Sequence, residues 1–255
     1  MHLAAQAERG IAVEKHPVYR TLTIVIPVYN ERGTVMTMLE KVLRQDTAPL
    51  AKEVVVVDDG SIDGTRELLE SAAWEDLCQE PGDRVQLLTH ARNRGKGACL
   101  KSALAEARGE LVLVQDADLE YDPADYPALL EPILSGRADA VFGNRFHGGA
   151  HRVPRFYRYL LNRMFTVLCN LLTSMALNDV TACYKVLRRD LLDELQLQSD
   201  GFSMETELTV KLARTSARIY EVPIVYYGRT YAEGKKIRWV DGVTAFYHLF
   251  RYRFF

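Results

Sequence analysis

The chain has 255 residues, 48% hydrophobic and 26% charged, with a formal net charge of −2. Such a composition fits a globular protein with a sizeable core, and one large α/β domain accommodates this length. The near-neutral charge argues against general nucleic-acid binding, which needs a basic face. Cysteines 78, 99, 169 and 183 lack CxxC spacing, so they read as free thiols of a reducing compartment, not as zinc ligands or a disulfide framework.

Residues 1–20, MHLAAQAERGIAVEKHPVYR, lack the basic start and apolar block of a signal peptide and read as a leader. No run approaches the ~18 uninterrupted apolar residues of a membrane span. The expectation is a cytoplasmic protein, soluble or resting on the inner face of a membrane.

In chain order, LTIVIPVY (22–29), EVVVVDD (53–59), RVQLLTH (84–90), ELVLVQDAD (110–118) and DAVFGNR (139–145) are short β-branched or apolar runs. Runs apolar on both faces predict strands buried on both sides of a parallel sheet. Helical patterns lie between them. In RGTVMTMLEKVLRQ the apolar residues fall at 35, 38, 39, 42 and 43. This alternation predicts a doubly wound, mostly parallel α/β sheet.

After residue 145 the rhythm becomes helix-rich. VPRFYRYLLNRMFTVLCNLLTSMAL carries apolar residues at 156, 160, 164, 168, 171 and 175. Short strands are predicted near 184–187 and 218–226. The tail WVDGVTAFYHLFRYRFF reads as a helix with Trp239, Val243, Phe246 and Phe250 on one face. The organisation predicted is a single domain over 21–230, split at 145/146 into a nucleotide-sugar half and an acceptor half. Residues 231–255 form a basic, aromatic C-terminal helix.

Ligands of open α/β sheets bind outside the carboxyl ends of the strands. Three predicted strands end in polar residues there: PVYNE (27–31), DDGSIDGT (58–65) and QDADLE (115–120). Asp116 and Asp118 are hard oxygen ligands suited to Mg²⁺ or Mn²⁺, and Glu120 is near enough to join them. A dication would relieve their mutual repulsion and neutralise a diphosphate. The competing reading is a solvated turn with capping aspartates. Asp58 suits a nucleobase or ribose, Tyr29 a stacked base and Glu31 a base edge or sugar. Ser61 and Asp63 suit helix capping. ARNRGKGACL (91–100) matches neither phosphate-loop pattern. Its Gly95 and Gly97 read as close packing of helix on sheet, and Lys96 as a donor-phosphate ligand.

The segments TIVIPVYNE, VVVVDDGSIDGT, NRGKGACL, LVLVQDADLE and VFGNR, in this order, resemble the family 2 glycosyltransferases of the GT-A fold. Within that family they are most similar to dolichyl- and polyprenyl-phosphate sugar synthases. The resemblance spans roughly residues 20 to 230 and is most specific through residue 145. It implies metal-dependent, inverting transfer of a hexose from a GDP- or UDP-sugar. By position it implies donor binding by Pro27, Val28, Tyr29, Glu31, Asp58, Asp59, Lys96, Asp116 and Ala117. It places the metal and diphosphate at Asp116 and Asp118, and Arg145 facing the phosphates. The synthases usually carry Gln at the position of Glu120. Their DPTSGF segment appears here as NDVTACYK, keeping Asp179 and Thr181. Many relatives also carry C-terminal membrane spans.

The acceptor reading rests on the second half. From Val141 to Asn178 there is no Asp or Glu but there are arginines at 145, 152, 155, 158 and 163 among aromatic and leucine residues. That mixture suits a lipid phosphate at a membrane surface, or else a core-packing stripe with solvated arginines. Arg229 and Lys235 suit a phosphate clamp. A lipid phosphate attacks without a protein base, whereas a hydroxyl acceptor (glycolipid, glycan or small molecule) needs one. Glu205 is the first candidate for that base, followed by Asp179, while Glu207 reads as part of a helix start. Nucleotidyl transfer would need a Gly-rich basic loop after the first strand, which PVYNERG does not provide. A non-catalytic nucleotide-sugar sensor would not need both aspartates. Oligomeric state is left open by the sequence.

Overall fold

The computed structural model describes residues 18–74, 78, 81–146, 152–229 and 239–254. Seven strands are present: β1 (Thr21–Val28), β2 (Ala51–Asp58), β3 (Arg84–Thr89), β4 (Leu111–Val114), β5 (Ala140–Asn144), β6 (Lys185–Arg188) and β7 (Ile219–Pro223). They form one sheet in the order β3-β2-β1-β4-β6-β5-β7. All pairings are parallel except those of β6, which runs antiparallel to β4 and to β5. The described helices are α1 (Val35–Arg44), α2 (Thr65–Glu70), α3 (Lys96–Glu106), α4 (Tyr126–Leu134), α5 (Phe156–Thr173), α6 (Arg189–Leu195), α7 (Met204–Leu212) and α8 (Trp239–Phe254). This is the mostly parallel α/β sheet expected from the alternating pattern.

The central strands are buried on both faces because both faces carry helices. Ile24, Ile26, Val54 and Val56 pack into one apolar layer with α1 and α4; Val25, Val55, Val57 and Val112 pack into the other. Helix α1 buries Val35, Met38, Leu39, Val42 and Leu43, the full stripe that its spacing predicts.

Strand order reverses after β3: the chain returns to lay β4, still parallel, on the other side of β1. A crevice at such a switch point receives the carboxyl ends of the flanking strands. Register puts Val28 beside Asp58 and Val25 beside Val114, so the polar tips of β1, β2 and β4 leave the sheet at one edge.

Helix α5 departs from the core-packing reading of its stripe. Phe156 and Leu171 are 76% and 75% exposed, and Leu160 and Met164 are exposed as well. The helix instead buries Phe165, Thr166 and Cys169, while Leu168 and Met175 are partly covered by the second apolar layer. On α8 the inward residues are Leu249 and Tyr252, with Phe246 edge-on to Phe165 at 5.1 Å between ring centroids. Phe250 points to solvent. No described helix is long and apolar enough to cross a membrane. The four cysteines are free.

Candidate active site

The tip of β4 is fixed from below. Gln115 is fully buried and accepts hydrogen bonds from the hydroxyls of Tyr126 (2.8 Å) and Tyr184 (2.5 Å). Its amide nitrogen donates to the Asp116 carbonyl at 2.9 Å. Leu119 adopts φ +60°, a left-handed conformation that costs an L-residue about 1–2 kcal/mol. The turn brings Asp116, Asp118 and Glu120 all onto the wall of a cleft of about 450 Å³.

The β1 tip supplies Pro27, Val28, Tyr29 and Glu31 to the same cleft. Asn30, at φ +51°, is stapled to the β2 tip: its amide donates to Ser61 and its side-chain oxygen accepts from the Ile62 amide. Asp59, Lys96, Ala117, Arg145, Thr181 and Arg229 also line the wall. The structure thus gathers most of the residues singled out by sequence around one cavity.

Three of those residues sit elsewhere. Asp58 is fully buried and absent from the cleft wall; its carboxylate takes the Arg66 guanidinium at 2.8 Å and accepts from the Ser61 amide. Asp179 lies behind the wall, where it receives the Arg145 guanidinium through two 2.8 Å hydrogen bonds. Arg145 also donates to Thr181, so Asp179 aims the arginine instead of meeting a ligand itself. Glu205 lies behind the wall too, between two ammonium groups, 3.4 Å from Lys96 and 2.6 Å from Lys185. Lys235 lies outside the described residues. Glu207 is a structural group, accepting from the amides of Gln198 and Ser199 and pairing with Lys211.

The cations are as closely placed as the carboxylates. Lys96 Nζ is 2.6 Å from Asp116, and Arg229 reaches Asp118 at 2.8 Å and Glu31 at 3.2 Å. Burial opposes the charge of Asp116, but the Lys96 ammonium beside it holds the carboxyl below the usual carboxylate range. Burial, then the neighbouring Asp116 and Glu120, push Asp118 up to about 7. Among the described residues, the carboxylates of Glu31, Asp116, Asp118, Glu120 and Glu205 meet the cations Lys96, Lys185 and Arg229. The closely spaced carboxylates and the all-oxygen donor set at the β4 tip fit a hard dication held by Asp116, Asp118 and Glu120.

A second close group, Asp59, His90 and Cys99, has ligand atoms within 4.8 Å of one another. It is already satisfied internally. Asp59 accepts from the amides of Arg94 and Gly95 and meets His90 Nδ1 at 2.6 Å, while His90 Nε2 meets Ser102. Its part is to pin the 91–95 loop under the cleft.

Gly95 and Gly97 pack not on the sheet, as expected, but on the chain at 199–201. A Cβ at Gly97 would collide with the Ser199 carbonyl oxygen and crowd Asp200. The Ala98 amide donates to the Asp200 carbonyl at 2.9 Å there. Gly97→Ala is therefore expected to cost about 2 kcal/mol through overpacking, read as a lower urea midpoint at unchanged slope.

Sequence reasoning missed Tyr226, Cys183 and Lys185. Tyr226 donates to Glu120 at 2.6 Å, bridges to Tyr121 and lies 5.1 Å under the Arg145 guanidinium. Cys183 lines the cleft as a neutral thiol, which burial and Asp116 push up to about 12. Lys185 is 1% exposed. A lysine inside the apolar run entering β6 was the available signal.

A switch-point crevice edged by carboxylates from three parallel strand tips defines a transferase of the GT-A fold. The chain belongs to glycosyl transferase family 2, whose model matches residues 23–196. It is 30% identical over 239 residues to polyprenol monophosphomannose synthase of Mycolicibacterium smegmatis, covering 90% of this chain and 86% of the relative. Glycosyltransferase AglJ of Haloferax volcanii is 29% identical over 241 residues, covering 92% of this chain and 73% of the relative. Among solved structures, glucosyl-3-phosphoglycerate synthase from Mycobacterium tuberculosis, in complex with Mn²⁺, UDP and glucosyl-3-phosphoglycerate, matches with a TM-score of 0.66. The identity is 21%, covering 91% of this chain and 80% of that one, so the likeness is one of fold. The protein is a glycosyltransferase.

Proposed function

We propose that the enzyme transfers a hexose from a GDP- or UDP-sugar to a polyprenyl phosphate at a membrane surface, with inversion. The observation that carries this reading is the placement of α5. Its exposed Phe156, Leu160, Met164 and Leu171 share one face, Arg152, Arg155 and Arg158 cluster at its N-terminal end, and on its inward side Asn162 donates to the cleft residue Thr181 at 2.6 Å. An exposed apolar face with arginines at its N-terminal end suits an anionic lipid surface, while the opposite, inward side of the same helix meets the cleft. The names of the M. smegmatis relative and of the M. tuberculosis complex support the acceptor class and the donor class respectively.

In this reading the tip of β1 holds the nucleoside, through Pro27, Val28, Tyr29 and Glu31, while Asp59 braces the 91–95 loop beneath it. Asp58 acts from behind, by way of Ser61. A Mg²⁺ or Mn²⁺ held by Asp116, Asp118 and Glu120 supplies charge neutralisation at the diphosphate when bound. Lys96 and Arg229 add positive charge to the same wall, and Arg145, aimed by Asp179, faces the phosphates with Thr181. A lipid phosphate, with a second pKa near ~6, is largely anionic at neutral pH. Its oxygen attacks the anomeric carbon as the bond to the diphosphate breaks, and the diphosphate leaves with the electron pair. No proton has to be removed by the protein. Glu205, held between two lysines behind the cleft wall, is poorly placed to act as a base, which favours this acceptor over a hydroxyl.

The test incubates the purified chain with labelled UDP- and GDP-sugars and either polyprenyl phosphate in anionic vesicles or hydroxyl acceptors. Label is expected on the lipid phosphate. Label only on hydroxyl acceptors overturns the lipid reading, and no transfer from any donor overturns the donor reading.

A further inference from the structure

The guanidinium of Arg229 lies inside the carboxylate cluster itself, not at its margin. One nitrogen, Nη2, is 2.8 Å from Asp118 and 3.2 Å from Glu31; Nη1 is 3.3 Å from the second oxygen of Glu31. Nε is 3.6 Å from Glu120 and buried without a hydrogen bond, while the Arg229 amide donates to that same carboxylate at 2.7 Å. The side chain therefore spans two of the three carboxylates assigned to the metal, and it lines the cleft. Two cations cannot both take the same carboxylate oxygens at contact distance without strong mutual repulsion.

We propose that Arg229 stands in for the divalent cation, neutralising Asp118 and Glu120 until a nucleoside diphosphate draws the guanidinium away. The inference rests on the metal and donor reading above. Diphosphate oxygens offer Arg229 a bidentate anionic partner, and they satisfy the Nε that makes no hydrogen bond in the carboxylate cluster. Asp118 and Glu120 are then released to the metal, which arrives with its own phosphate ligands. Metal and nucleotide thus raise each other's affinity, by the reciprocity that binds any two coupled ligands. Metal alone binds weakly, because it must displace a resident guanidinium. Arg229 meets the diphosphate directly in this scheme, and its effect is on the order of binding.

Free Mn²⁺, read by electron paramagnetic resonance, tests this on the whole chain, in the wild type and in Arg229→Met, each with and without UDP or GDP. Circular dichroism first establishes that the variant folds. Without nucleotide the variant is expected to bind Mn²⁺ about tenfold more tightly, since a competing charge is gone. With nucleoside diphosphate that advantage is expected to vanish or reverse. If Arg229→Met does not fold, Arg229→Lys serves: it keeps a charge but loses the fork, and a smaller tightening in the same direction is expected. Unchanged or weaker nucleotide-free Mn²⁺ binding in the folded variant overturns the stand-in role, even where Mn²⁺ with nucleotide still binds. Absence of Mn²⁺ binding in every protein, with nucleotide present, overturns the metal reading beneath it as well.

Discussion

Asp118→Ala is expected to lower sugar transfer by about a thousandfold while leaving the fold as stable as before or more so. The activity loss follows from the place of Asp118 at the tip of β4, on the cleft wall and between Asp116 and Glu120. A group that stabilises developing charge on a leaving diphosphate contributes about 10²–10³ in rate when removed singly, and loss of metal adds to that. The stability gain follows from the direction of its acidity. A carboxyl raised to about 7 in the folded state is penalised when ionised, so at pH above 7 the fold carries that penalty in full. Alanine removes it. The loss of the Glu120 amide hydrogen bond to Asp118 (3.1 Å) partly offsets the gain. Initial rates with labelled donor, alongside melting curves at pH 8, check both halves. Full-speed transfer by the variant would overturn the assignment of the catalytic edge.

Glu205→Gln is expected to do something different, and to the whole molecule. Removing one partner of a buried ionic cluster leaves uncompensated charge, at a cost of about 3–5 kcal/mol. For a chain of this length the melting temperature is expected to fall by about 6–10 °C. Lys185, 1% exposed and otherwise held by the carbonyls of Val180 and Ala182, bears most of this loss. Lys96 keeps Asp116. Removing the ammonium together with the carboxylate, in Lys185→Met/Glu205→Gln, is expected to restore much of the stability. A general base behaves in the opposite way: a large fall in kcat, an altered pH–rate profile and an unchanged melting temperature. Differential scanning calorimetry with single-turnover rates distinguishes the two.

The sheet and its chemical edge were legible in the sequence because both follow from local rules. Runs such as LTIVIPV and EVVVVD can be buried only when both faces are covered, and Asp116 and Asp118 end such a run. What local pattern could not convey was partnership across the chain. Nothing near Asp58 in DDGSIDGT announces that Arg66 turns back onto it. Nothing near Glu205 announces Lys185, twenty residues earlier on another element. Asp179 stands out in the sequence because NDVTACYK resembles the DPTSGF segment of the synthases, yet its carboxylate is committed to Arg145. The stripe on α5 leaves two readings open for a physical reason as well. Helical periodicity reveals that a helix has an apolar face but not what covers it, and here the covered side is the one through Phe165 and Cys169.

The reversed direction of β6 has one more consequence. In a wholly parallel sheet, every segment reaching the ligand edge leaves a strand there. Because β6 opposes its neighbours, the chain enters it at that edge, and residues 179–184 arrive beside β4 just before Lys185 pairs with Phe142. This short entry segment is tethered by the Glu221 carboxylate at Asn178 and by the sheet at Lys185, so it is a bounded cassette. Grafting it between family members changes one wall of the cavity while the β1, β2 and β4 tips keep their own sequence, a compact route to chimaeric enzymes.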